Sequence, residues 1–284
     1  MNNSSLEIRP APWWLFVLLL AVTLLMTLLG NQWYLPSGIW KPINEHSHGF
    51  VNPTLIWGIV FFAIVICGVL LGVGHRTPCE LGLDRTKIST GVLYTCLLWI
   101  AVQFVLGGCY VALGKSVTIA NGWTDVRVLG KVGRLVGQFL GNALCEEILY
   151  RGFLLMQCVL LFHTLWPHRP RTALLVAFGV ASSIFALSHL PFDLRADRFE
   201  SLSKLVWDQA GHLLSGCLFG WIFWQTGNLF FTVGVHALSN EPTTLFAWHD
   251  LGPLTRTDPV VLLIAVGIAA AWKRLPATQQ KSTC

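Results

Sequence analysis

Residues 137–161 read GQFLGNALCEEILYRGFLLMQCVLL, an apolar stretch that contains two adjacent glutamates, Glu146 and Glu147, and one arginine, Arg151. A run of about 20 or more mostly apolar residues is long enough to cross a bilayer as one helix. Each charged side chain near the middle of such a helix costs about 2.5–3.5 kcal/mol on insertion scales, and charges in that position usually serve a function. The stretch therefore predicts a transmembrane helix with a functional site near its centre.

The composition of the chain is typical of a polytopic membrane protein. Of its 284 residues, 54% are hydrophobic and 12% are charged, and apolar runs long enough to span a bilayer recur along the sequence. The formal net charge of +5 fits loops that lie beside anionic lipid. No basic run with interleaved aromatic residues is present, so we expect the lipid bilayer as a partner and no nucleic acid.

The apolar runs predict an all-α protein with about eight transmembrane helices in a single membrane domain, residues 1–284. Runs this long and continuous favour helices over the alternating strands of about ten residues that build a membrane barrel. The predicted spans are 12–31, 51–74, 89–113, 135–160, 171–190, 207–226, 229–248 and 258–273. No internal repeat and no segment large enough for a separate soluble domain interrupts them.

Lysine and arginine residues are concentrated in two predicted loops and one tail, around residues 76–87, 169–171 and 273–281. With eight spans and a cytoplasmic N-terminus, all three would be cytoplasmic, as the positive-inside rule expects. Residues 115–134 carry four cations and would then lie outside, which argues against this orientation. The sequence therefore leaves the orientation open.

Glu147 and Arg151 are four residues apart, so they share a helix face and can form an ion pair. Glu146 points about 100° away from Glu147, toward Asn142 and Tyr150. One carboxylate would then be neutralised by the arginine, and the other would be left for chemistry. The alternative is that both glutamates share Arg151 in a structural ion cluster between helices.

Two other predicted spans also carry polar side chains. His189 lies at the end of the fifth span, where a single histidine is usually an interfacial or packing residue. His236 and Asn240 lie one turn apart on one face of the seventh span, where an interhelical hydrogen bond is the simplest explanation. His212, beside small residues in the sixth span, is not expected to have a direct role.

Together, these polar residues supply a carboxylate, two imidazoles and a carboxamide from three apolar helices. A buried glutamate can act as a general base on water, a histidine can orient that water, and histidine and asparagine can donate to a developing oxyanion. Apolar surroundings strengthen each of these interactions. The set therefore predicts a hydrolytic site.

Three short segments in order carry these residues: EEILYR at 146–151, FALSH at 185–189 and HALSN at 236–240. They resemble the motifs EExxxR, FxxxH and HxxxN of the CPBP family of intramembrane proteases. That family includes the CAAX prenyl endopeptidases of the Rce1 type and bacterial relatives of the Abi type. The resemblance covers about residues 85–250, and its specificity comes from the agreement of three separate motifs.

The resemblance implies an intramembrane endopeptidase in which a glutamate activates water and a histidine and an asparagine form an oxyanion hole. Carried onto this sequence, the catalytic positions are Glu146, His189, His236 and Asn240, and the supporting positions are Glu147 and Arg151. The implied partner is a membrane-anchored protein or peptide that is cut in its C-terminal or transmembrane segment. The expected location is the bacterial inner membrane.

Three alternatives remain open. A zinc-dependent hydrolase would use Glu146, His189 and His236 as ligands with water in the fourth position. No HExxH pair is present to hold two ligands on one helical turn, so we expect no cofactor. A proton-coupled transporter would show inverted repeats and broken helices, which the sequence lacks. A non-catalytic immunity or partner-binding protein would not need all three motifs intact.

Overall fold

The computed structural model describes residues 8–123, 127–195, 197–246 and 257–274. Over these ranges the chain forms helices and no β-strand, which confirms the predicted all-α fold. The helices are α1 (Trp13–Ser37), α2 (Lys41–His46), α3 (Pro53–Val73), α4 (Arg85–Ala112), α5 (Val128–Leu165), α6 (Pro170–Asp193), α7 (Leu202–Thr226), α8 (Leu229–Asn240) and α9 (Asp258–Ala271).

Local sequence signals set the starts of two helices that build the site. Asn52 caps α3 by accepting a hydrogen bond from the backbone N–H of Leu55, and Pro53 occupies the first helical position. Asn228 caps α8 in the same way by accepting from the N–H of Phe231. Such side chains satisfy amide groups that have no partner within the helix.

Five helices within the described ranges are long and apolar enough to cross a membrane, namely α1, α3, α4, α5 and α6. They support a multi-pass membrane protein. The helices α8 and α9 have 12 and 14 residues, fewer than the roughly 20 that a full span needs. The helix α7 has 25 residues but a more polar sequence. The count of about eight spans therefore stays a prediction.

The seventh predicted span ends earlier than expected. The apolar pattern predicts a span that continues to residue 248, but α8 ends at Asn240 and residues 241–246 are not helical. Pro242 explains this difference, because proline disfavours the helical conformation of the residue before it. Accordingly, Glu241 has a φ of −139° and a ψ of 84°. Asn240 therefore lies at a helix end.

The helix α5 is the most buried of the five candidate spans. In its most apolar window 61% of the residues are buried, compared with 28–33% in the other four. The helix α3 crosses it at close range, because a β-carbon on Gly58 of α3 would collide with the backbone of Gly141 on α5. Small residues that let two helix backbones touch are common in membrane proteins. The buried charges on α5, Glu147 and Arg151, are therefore sheltered from lipid.

A polar cluster fixes the segment before α1 to one end of the helix bundle. Arg9 forms an ion pair with Glu80 at 2.8 Å, and Arg76 lies 3.4 Å from the same carboxylate. The side chain of Gln157 on α5 donates a hydrogen bond to the backbone carbonyl of Arg9 at 3.0 Å. Hydrogen bonds from the Arg9 side chain are the main reason that the pKa of Glu80 falls to about 2. The start of α1, the α3–α4 loop and α5 therefore meet at this end.

Candidate active site

A cavity of about 620 Å³ lies between α1, α3 and the helices α5 to α9. Its size is in the usual range for ligand-binding clefts. All four predicted catalytic residues line it: Glu146, His189, His236 and Asn240. The two predicted supporting residues, Glu147 and Arg151, are buried and do not line it. The structure therefore brings residues from three separate motifs to one cavity.

The two adjacent glutamates have different surroundings. They occupy one α-helical turn of α5, Leu144–Glu147, which lies between two π-helical stretches. Such stretches are rare and frequently occur at functional sites. The side chain of Glu146 is 19% exposed, and that of Glu147 is 0% exposed. Within the described part of the chain, Oε2 of Glu146 has no hydrogen-bond partner.

Glu147 is held by two partners through one oxygen. Its Oε1 lies 3.0 Å from Nη1 of Arg151 and 2.7 Å from Nδ1 of His236. The Arg151 guanidinium packs over the rings of Phe185 and Phe219, with its carbon 4.3 and 5.3 Å from their centroids. The predicted pairing of Glu147 with Arg151 is confirmed, whereas the contact with His236 was not predicted. Both partners compensate a fully buried carboxylate.

His236 lies between the two glutamates. Its Nδ1 faces Glu147, and its Nε2 is 3.7 Å from Oε2 of Glu146. The ring stacks on Phe219 with 4.6 Å between centroids. A carboxylate and an aromatic face together set the ring orientation, so Nε2 is the nitrogen nearest to the cavity residue Glu146.

His189 lies at the turn between two helical parts of α6. Its Nδ1 is 2.9 Å from the backbone carbonyl oxygen of Phe185. A carbonyl oxygen only accepts, so Nδ1 carries the proton and Nε2 can accept a hydrogen bond. The ring of Phe185 also contacts His189 edge-on, with 4.7 Å between centroids. Both contacts follow from the spacing of four residues in the FALSH segment.

His212 is a cavity residue to which the sequence analysis assigned no direct role. Its ring stacks on His189 with 4.2 Å between centroids, and its Nε2 is 3.3 Å from Oδ2 of Asp193. Gln209 donates to the same carboxylate at 2.9 Å. The spacing of Gln209 and His212 marks a polar face on α7. However, only the packing of α7 against α6 shows what that face contacts.

Asn240 lies at the exposed end of α8. Its Nδ2 donates to Oε1 of Gln138 at 3.2 Å, and Nδ2 of Asn142 lies 3.4 Å from the same oxygen. An amide nitrogen carries two N–H groups, so Asn240 keeps a second donor for a ligand. Gln138 is a further cavity residue that the sequence analysis missed. The sequence feature that could have identified Gln138 is its position eight residues, or about two helical turns, before Glu146.

The zinc-dependent alternative concerns the same cavity residues. A zinc-dependent site would need Glu146, His189 and His236 to converge on one point. Both histidines keep Nε2 available, as a metal ligand would. Among the residues that the structure describes, however, no three histidine, cysteine, aspartate or glutamate side chains are placed to hold one metal ion.

Comparison with known proteins identifies the segment that carries these motifs. Residues 129–241 match the model of a family described as type II CAAX prenyl endopeptidase Rce1-like. No curated protein and no solved structure matches the chain. The matched segment runs from the start of α5 to the end of α8 and contains all three motifs. The Rce1-like family is a protease family. The match over residues 129–241 supports a CPBP or Rce1-like protein.

Proposed function

We propose that this protein is an intramembrane endopeptidase of the glutamate type. It would cleave a membrane-anchored protein or peptide within a C-terminal or transmembrane segment. The observation that carries the proposal is the contrast between the two adjacent acids. Glu147 is compensated by Arg151 and His236, whereas Glu146 lines the cavity with an oxygen that no described residue hydrogen-bonds. A carboxylate in this position can accept a proton from water.

In the proposed reaction, Oε2 of Glu146 takes a proton from water while the water oxygen bonds to the carbonyl carbon of the scissile peptide. The carbonyl electrons move to its oxygen and give a tetrahedral oxyanion. When the C–N bond breaks, its electron pair goes to nitrogen, which receives the proton from Glu146. The products are a carboxylic acid and an amine, and Glu146 returns to its starting form.

The position of His236 suits an oxyanion donor, because its Nδ1 is held by Glu147 and its Nε2 faces the cavity residue Glu146. A protonated ring donates from Nδ1 to Glu147 and from Nε2 toward the cavity. The second amide N–H of Asn240, one turn away on α8, supplies another donor. Preorganised donors of this kind are worth more in a site that excludes water than in bulk solution.

His189 would orient the attacking water. Its Nδ1 proton is bonded to the carbonyl of Phe185, so Nε2 can accept one hydrogen bond from that water. Glu146 would accept the other. Both water hydrogens would then be held, which directs the oxygen lone pairs at the substrate carbonyl.

Further expectations accompany this proposal. The chain 1–284 would be one membrane domain with its catalytic core within about residues 85–250, crossing the bacterial inner membrane about eight times. The reaction would need no cofactor. Five helices of membrane-spanning length and the family match support the multi-pass protease on which these expectations rest.

A comparison of membrane proteomes tests the proposal. Membranes with the wild-type protein should contain new protein termini that are absent with Glu146→Gln, because glutamine keeps the side-chain size but cannot take the proton. Glu45→Gln changes an exposed glutamate on α2 outside the cavity and should leave those termini in place. Normal processing by the Glu146→Gln protein would show that the glutamate mechanism is wrong.

A further inference from the structure

The cavity side of α1 carries a row of polar residues on a mostly apolar helix. Thr23, Thr27 and Asn31 recur every four residues, and all three line the cavity. The outer side of the same helix is apolar, with Leu24 and Leu28 exposed by 51% and 40%. The helix α1 lies outside the segment that matches the family. The proposed catalytic residues therefore do not explain this row.

Two side chains of this row donate hydrogen bonds to backbone carbonyls of α1. The side-chain oxygens of the row remain able to accept hydrogen bonds. Oγ1 of Thr27 donates to the carbonyl of Thr23 at 2.9 Å, and Nδ2 of Asn31 donates to the carbonyl of Thr27 at 2.9 Å. The hydroxyl of Thr23 is buried and has no hydrogen-bond partner among the described residues. A polar atom in that condition carries a desolvation penalty that a bound donor can remove.

The spacing of these oxygens matches the repeat of an extended peptide. Four residues of an α-helix rise about 6 Å, and two residues of an extended strand span about 6.6 Å. Every second residue of an extended strand faces the same side. A strand lying along α1 would therefore present N–H groups at nearly the interval at which the row presents acceptors.

We propose that the row Thr23, Thr27 and Asn31 binds the substrate as an extended strand through its backbone N–H groups. A helical substrate does not suit the row, because its N–H groups are already bonded within the helix. A lipid chain has no donor at all. The substrate segment must therefore be unwound before it reaches Glu146. This inference rests on the proposed peptidase function and assigns the wall of the cavity that selects substrate conformation.

Binding to a protein that cannot cleave tests the row separately from hydrolysis. The probe is a fluorescein-labelled pool of short mixed-sequence peptides, titrated against Glu146→Gln protein in nanodiscs and followed by fluorescence anisotropy. Thr23→Val and Thr27→Val, added together, remove two hydroxyls and keep the branched side-chain shape. We expect binding to weaken by about two- to tenfold for each hydrogen bond lost.

Two controls make the measurement specific for the row and for the peptide backbone. Leu24→Val and Leu25→Val alter the outer side of α1 and should leave the affinity unchanged. A pool with N-methylated backbones lacks N–H donors, so it should bind weakly and respond little to the threonine substitutions. Unfolding temperatures should not fall with Thr23→Val, because its hydroxyl makes no bond to the described protein.

Equal affinity of the parent and the threonine variants would overturn the proposal. Equal affinity of the two peptide pools would also overturn it, as would the absence of saturable binding by the unmethylated pool. None of these binding measurements needs cleavage. A negative binding result therefore does not test the hydrolytic function, which is tested by the new protein termini. If peptide binding depends on the row but no new protein termini appear in the membranes, only the proposed peptidase function is contradicted.

Discussion

Nδ1 of His236 lies 2.7 Å from Oε1 of Glu147, and this contact joins two helices across 89 positions of sequence. Arg151 lies 3.0 Å from the same oxygen, so Glu147 holds a cation on α5 and a ring on α8 at once. Glu147 thereby fixes the ring whose other nitrogen faces Glu146. The two adjacent acids are thus connected through His236, and each has a separate task.

Glu147→Gln should destabilise the fold much more than Glu146→Gln. The change leaves the buried guanidinium of Arg151 without its counter-charge, and breaking a buried pair in this way typically costs about 3–5 kcal/mol. Glu146 is partly exposed, and its Oε2 has no hydrogen bond to a described residue. Thermal unfolding in detergent measures both variants. Similar unfolding temperatures would contradict the separate tasks.

Asn240→Ala should slow hydrolysis by about 10²–10³-fold, the usual cost of removing one oxyanion donor. The unfolding temperature should not change, because Asn240 is exposed at a helix end. Ser239→Ala is a matched control, since Ser239 lines the same cavity but donates to the carbonyl of Val235. The loss with Asn240→Ala should be in kcat. A loss confined to KM would place Asn240 in substrate binding.

Removal of metal ions should leave hydrolysis unchanged. The proposed steps use only a glutamate, two histidines and an asparagine, and no described set of three donors is placed around a common point. Activity of the purified protein should therefore be the same before and after dialysis against a chelator. A chelated protein that loses activity and regains it with zinc would establish the zinc-dependent alternative.

Gly58→Ala should destabilise the packing of α3 against α5. The added β-carbon collides with the backbone of Gly141, and backbone atoms cannot move aside as the end of a long side chain can. Gly267→Ala on α9 is the control, because no heavy atom lies within 4 Å of its added β-carbon. Alanine is favoured over glycine in a helix by about 0.5–1 kcal/mol. We expect a lower unfolding temperature for Gly58→Ala and an equal or higher one for Gly267→Ala.

Glu80→Gln should reduce stability at neutral pH and have little effect in acid. Hydrogen bonds from Arg9 lower the pKa of Glu80 from 4.5 to about 2. A carboxylate whose pKa is lower in the folded state stabilises the fold above the unfolded pKa. That stabilisation is lost as the pH falls from about 4.5 toward 2. Unfolding temperatures of the wild type and the variant should therefore converge across this range.

The matched control for this pH effect is Glu200→Gln. Glu200 is 70% exposed and lies 3.9 Å from Lys204, and exposed ion pairs contribute little to stability. Its replacement should change the unfolding temperature only slightly at any pH. A difference between the wild type and Glu80→Gln that stayed constant with pH would contradict the assigned role of the Arg9 contact.

Contacts within one helix were predictable from spacing alone. Glu147 pairs with Arg151 because residues four apart share a helix face. Contacts between helices were not predictable, since one sequence does not give the relative rotation of two packed helices. The contact of His236 with Glu147 and the stacking of His189 on His212 both belong to this second group.

Helix positions were predictable from apolar runs, but helix ends were less so. The apolar residues at 245–248 favour a seventh span that extends past Asn240, whereas Pro242 disfavours a helical conformation for the residue before it. The polar residues of α1 do not stand out in the sequence either, because the mean hydropathy of the span is dominated by its apolar residues. Only the structure shows that Thr23 and Asn31 face a cavity, because hydropathy does not distinguish lipid from an internal wall.

The row on α1 lies far along the chain from Glu146 and its partners. If it selects substrates as proposed, one stretch of the sequence determines substrate recognition and another carries out hydrolysis. Substitutions in α1 could then diversify the targets of the enzyme while the hydrolytic residues stay constant. Exchanging residues 13–37 between related proteins would be a direct way to transfer target choice from one protease to another.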